Sequence, residues 1–97
     1  MSLSIATLGT SSTSIIDPAI GNTWGTTSMW IFNSDASNPR DVTIFFNSVS
    51  IMSFTLSPLE TKEFPLERIA LTGGTDSITG LASSAGVINV AVSYITL

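Results

Sequence analysis

The alternation of apolar and polar positions is clearest between Ser28 and Leu56, and the rest of the chain is organised around that stretch. Ser28-Met-Trp-Ile-Phe-Asn33 and Asp41-Val-Thr-Ile-Phe-Phe46 are rich in aromatic and β-branched residues. Between them lies the polar breaker run Ser34-Asp-Ala-Ser-Asn-Pro-Arg40, so the pair predicts two antiparallel strands and their loop. In the first strand Trp30 and Phe32 share one face and Met29 and Ile31 the other. Apolar character on both faces predicts a central strand covered on its second face by another subunit. In the second strand Val42, Ile44 and Phe46 lie opposite Thr43 and Phe45. Asn47-Ser48 marks a tight turn, after which Met52, Phe54 and Leu56 alternate with Ser53 and Thr55. This register turns Phe45 and Ile51 outward and makes them candidate contact residues.

Upstream, Ser2–Leu8 alternates weakly with Leu3 and Ile5 on one face, and a second short strand ends at Ile15-Ile16. Asp17-Pro18 and Gly21-Asn22 break the pattern and predict a loop through Gly25, with Trp24 near its end as a lid over one end of the molecule. Downstream, Ser57-Pro-Leu-Glu60 has the residues of a helix capping box. Pro65 would cut such a helix short, and Phe64 and Leu66 alternate with Glu63 and Glu67. The prediction is therefore a turn and then an edge strand, where Pro65 loses nothing and Lys62, Glu63 and Glu67 discourage stray pairing. Turns at Thr72–Asp76 and Ser83–Gly86 flank a short strand within 77–82. The last strand, Val87–Leu97, sets Ile88, Val90, Val92 and Tyr94 against Asn89, Ala91, Ser93 and Ile95, and its apolar end is expected to be paired. About eight short strands with regular turns predict one all-β domain over residues 1–97, an antiparallel β-sandwich of jelly-roll-like kind.

Composition narrows the function classes. Charged residues are 10% of the chain, against about 25% in ordinary soluble domains, so Ser and Thr carry much of the polarity. A surface of that kind repels sister copies weakly. The net charge of −4, with Arg40, Lys62 and Arg68 as the basic residues, argues against nucleic acid. No stretch reaches the roughly 20 apolar residues of a membrane helix, and Met1-Ser-Leu-Ser-Ile-Ala lacks the basic and apolar regions of a signal peptide. The expected place of synthesis is the cytoplasm, with any exit by lysis.

Candidate chemistry is sparse. With no Cys and no His there is no thiolate metal site and no imidazole base. A Ser nucleophile would need Lys62 or a carboxylate as its base. Glu60, Glu63 and Glu67 are the nearest carboxylate set for glycoside cleavage, and their place on an edge strand reads as a solvated face. Asp17, Asp35, Asp41 and Asp76 are scattered and form no calcium loop, and Gly73-Gly74 lacks the Lys of a phosphate loop. The expectation is a non-enzyme without catalytic, cofactor-binding or metal-ligating residues.

The order of these runs carries a resemblance. Asn33 with its polar loop, Val42-Thr-Ile-Phe45, Thr61-Lys-Glu-Phe64, Ile69-Ala-Leu-Thr-Gly-Gly-Thr-Asp-Ser-Ile78 and Ala82-Ser-Ser-Ala-Gly-Val-Ile-Asn-Val90 follow one another from Ser28 onward. The chain resembles the small all-β structural proteins of tailed-phage virions, in which a Leu-Gly-Asp-Ile turn precedes a terminal strand. The resemblance implies a capsid decoration or cement protein, or a tail or fibre module, located in the virion and working as a homo-oligomer, often a trimer, bound to capsid or tail proteins. It carries over no catalytic residue, and Trp24 with the 17–25 loop departs from it. The competing expectation is a carbohydrate- or receptor-binding module using Trp24, with Tyr94 or Trp30, as a stacking platform. Trp24, Phe45 and Ile51 are the expected partner contacts under either reading.

Overall fold

The computed structural model describes residues 2–97. Eight strands follow one another: β1 Ser2–Thr7, β2 Thr13–Ile16, β3 Thr23–Asn33, β4 Arg40–Phe46, β5 Val49–Leu56, β6 Thr61–Thr72, β7 Ile78–Ala82 and β8 Ile88–Thr96. They form two antiparallel four-stranded sheets, in the orders β1-β8-β3-β6 and β2-β7-β4-β5. That order is the double Greek key of a jelly roll, so the expected all-β sandwich is what the chain forms.

Period-two alternation decides which side chains meet between the sheets. Met29, Ile31, Val90 and Val92 of the first sheet and Val42, Ile44, Leu56 and Ile78 of the second are all withdrawn from solvent. Each such side chain contributes about 1.5–3 kcal/mol by its burial. Along one margin the layers are joined by Phe54 of β5 and Phe64 of β6, whose ring centroids are 5.3 Å apart, with the Lys62 ammonium 5.4 Å above the Phe54 ring. The sandwich is long for its width, 42 × 23 × 19 Å, so its two ends are well separated.

The turns follow their residues. Asn47 and Ser48 have φ of 50° and 66°, the paired positive values of a type I′ hairpin turn. At Ser57–Glu60 the capping-box residues build a turn and no helix. Glu60 reaches back to accept the Ser57 N–H at 2.8 Å, as in a capping box, and Thr61 then opens the edge strand.

One expectation about element boundaries is corrected. Trp24 is not in a loop: β3 starts at Thr23, and Trp24 pairs with Leu71 and Thr96. The cause is a bulge at Thr27, which has no partner on β8 while its neighbours Thr26 and Ser28 meet Tyr94 and Ser93. The Thr27 and Ser93 hydroxyls bond to each other, and the Ser28 N–H donates to Ser93 Oγ at 3.2 Å. β6 runs on to Thr72 through its own bulge, with Glu67 and Arg68 at φ of 50° and 59°.

Candidate interaction surface

The two sheets differ on their outward faces. The outer face of β2-β7-β4-β5 is hydroxyl-rich, carrying Thr43, Ser53, Thr55 and Thr79 beside Phe45. The outer face of β1-β8-β3 is charge-free and carries Leu3, Ile5, Trp30, Phe32 and Ile95 among the polar Thr7, Ser28 and Asn89, and Leu97 folds across Gly25. Ile5 is 71% and Leu3 56% exposed, while Trp30 and Phe32 are half-buried on the central strand. β1, β3 and β8 contain no charged residue, so nothing on their three strands repels an apolar partner.

The ends differ as well. At the end formed by residues 17–22, the 47–48 turn, residues 73–77 and the last residues of β8, large apolar side chains point into solvent. Ile20 is 88% exposed, and Val49, Ile51 and Leu97 are exposed beside it in the topology. A Cβ on Gly73 would overlap the Ala19 carbonyl, so only glycine lets residues 17–22 seat on the 73–74 turn. Gly73 N–H donates to Asn22 O at 2.7 Å and Gly74 N–H to Pro18 O at 3.3 Å. Asp76 bridges this loop to the hairpin, accepting from Thr72 N–H and from the Asn47 amide. Those hydrogen bonds, Thr72 first, hold its carboxyl below the usual range.

The opposite end is built by side chains and exposes one large apolar residue, Leu59 of the turn between β5 and β6. Buried Asn33 donates to the carbonyls of Asn38, Leu56 and Ser57 and accepts the Asp35 N–H. Asp35 accepts from the backbone of Ser37 and Asn38 and from Arg40 at 2.7 Å. The Ser37 N–H and the Arg40 guanidinium bring its carboxyl from 3.8 down to about 2.

The three expected contact residues fall toward the apolar end without forming one site. Trp24 faces inward, stacked on Tyr94 with centroids 4.2 Å apart and packed against the core. Phe45 lies on the outer face of the second sheet, where it lines a shallow depression of about 200 Å³ with Ser12, Ser48 and Thr79. Ile51 is exposed at a bulge in β5, where Phe45 pairs with Ser50. The apolar outer face is the feature that the contact residues chosen from sequence missed in part. The doubly apolar run Met29–Phe32 was its signal, whereas Leu3 and Ile5 gave none until β1 was placed beside β8. No protein-family model matches the chain, and no curated protein is similar to it.

Proposed function

We propose that this chain is a structural protein of a virion, a homo-oligomeric capsid decoration or cement protein that bridges neighbouring shell subunits. The observation that carries the reading is the group of apolar side chains, Leu3, Ile5, Trp30, Phe32 and Ile95, on the charge-free outer face of β1, β8 and β3, which a lone domain would leave in water. Further support is the jelly-roll order, an architecture used by capsid domains among others. The mechanism is mechanical: burying this face against sister copies and the shell raises the free energy needed to separate the subunits it spans.

Light scattering across a hundredfold dilution tests the assembly. The expected result is a closed oligomer that Phe32→Ser dissociates while the circular dichroism spectrum stays unchanged. A monomer at every concentration overturns the reading. For the cement role, particles stripped of the protein should lose heat resistance and regain it on adding the protein back; equal resistance without it sinks that role.

A second reading is a carbohydrate-binding module, favoured by the Phe45 depression with three hydroxyl-bearing neighbours. A glycan array that stays silent for the natural chain, or binding unaffected by Phe45→Ala, disposes of it.

A further inference from the structure

We propose that β1 is a seam strand: its free edge pairs antiparallel with β1 of a second copy, joining two four-stranded sheets into one continuous sheet of eight. The proposal rests on the assembly reading above and names where the copies meet.

The four sheet edges are β1 and β6 in one sheet and β2 and β5 in the other. Three of them are defended. β6 carries Pro65, Lys62, Glu63, Glu67 and Arg68 and a bulge. β2 is four residues long with a register shift, and β5 bulges at Ile51. β1 keeps unbroken register with β8 from Ser2 to Thr7 and has no Pro, no bulge and no charge. Charges, prolines and bulges are how an exposed edge is kept from pairing, and β1 has none of them.

Backbone direction makes the edge usable. The Leu8 N–H donates to Ile88 O, so even-numbered residues of this strand turn their backbone groups toward β8. Leu3, Ile5 and Thr7 therefore present N–H and C=O at the free edge, with no backbone partner among the described residues. The occupant that fits is a second β1. A two-fold axis perpendicular to the sheet sets odd residues opposite odd ones, so apolar side chains stay on the outer face and inward ones stay inward. With Ile5 opposite Ile5 and Leu3 opposite Thr7, all three outward residues take part, giving about six hydrogen bonds. Charge favours the same choice. The chain carries −4, yet its first sixteen residues hold no charged side chain, so two copies meet there without facing carboxylates. The seam also merges two apolar outer faces into one larger docking surface.

The test combines solution mass with amide exchange. Ile5→Pro removes an outward N–H and no β1–β8 bond, and it is expected to convert the oligomer to smaller units with an unchanged circular dichroism spectrum. Should that variant fail to fold, Ile5→Lys keeps the N–H and sets two ammonium groups against each other, with the same expected loss of mass. In the natural chain, the amides of Leu3, Ile5 and Thr7 should exchange at least about tenfold more slowly when associated than when diluted. Unchanged mass in either folded variant, or fast exchange of those amides in the oligomer, overturns the seam and leaves the assembly reading standing. A natural chain that is monomeric throughout overturns both.

Discussion

The two ends of the sandwich are built by opposite means. At the 73–77 end the loops are knitted largely by backbone, with Gly73 and Gly74 donating to Asn22 and Pro18, so the side chains above them are free to be apolar. Ile20 and Val49 are exposed there. At the 34–40 end the loop is organised by side chains: Asn33 donates to carbonyls, Asp35 accepts from N–H groups, and Arg40 donates to Asp35. Backbone-knit loops leave side chains available for contact with a partner. Side-chain-knit loops spend their polar groups on the fold itself. The difference leaves exposed apolar side chains above the first end and ties polar ones into the fold at the second.

The sharpest way to break this contrast is at Gly73. Gly73→Ala puts a methyl group 2.6 Å from the Ala19 carbonyl carbon and 2.8 Å from Asn22 O. Neither neighbour is a flexible side chain, so residues 17–22 must lift. The expected loss is about 3 kcal/mol, read from the denaturant midpoint. A loss below about 0.5 kcal/mol would mean that the loop is not knitted as described.

At the other end the equivalent change is Asn33→Ala, which strips one buried amide from three carbonyls on two loops. The expected loss is about 2 kcal/mol, since Leu56 and Ser57 retain part of their solvation in the relaxed loop. Asn33→Asp should cost more at neutral pH, because a carboxylate oxygen would face carbonyl oxygens, and the excess should shrink on acidification. Equal stability of the Asp and Ala variants at pH 7 would remove the donor role assigned to this side chain.

Sequence made the strands legible because period two survives between their bulges: Met29 and Ile31, Val42 and Ile44, and Ile88, Val90 and Val92 are all buried as the alternation requires. It misplaced Trp24 because the breakers Asp17-Pro18 and Gly21-Asn22 extended the predicted loop through Gly25, whereas β3 starts at Thr23 and bulges at Thr27. That bulge depends on Ser93, 66 residues away in sequence, and no local pattern encodes the pairing. Asn33 was legible as the end of a strand, but its role in joining two loops depends on β5 returning beside it. The apolar face was half legible for the same reason. Residues on one strand announce their own faces, and only sheet order says which strands lie side by side.

The gentlest probe of the contrast is acid, because each end holds one Asp below its usual range for a different purpose. Asp35, at about 2 against an ordinary 3.8, binds its proton less readily folded than unfolded. Its contribution to stability is therefore complete above about pH 3.8 and is lost as the pH falls through about 2. Carboxyl-carbon titration of Asp35 by NMR should fall well below the usual carboxylate range, with the Ser37 and Asn38 amides exchanging faster as Asp35 protonates. Asp35→Asn should flatten this response at residues 34–40 and leave residues 72–77 unchanged, since Asp76 is held separately by Thr72 and Asn47. A coupled response of both loops to that one substitution would show that the ends are not independent, and the contrast between a backbone-knit end and a side-chain-knit end would fall with it.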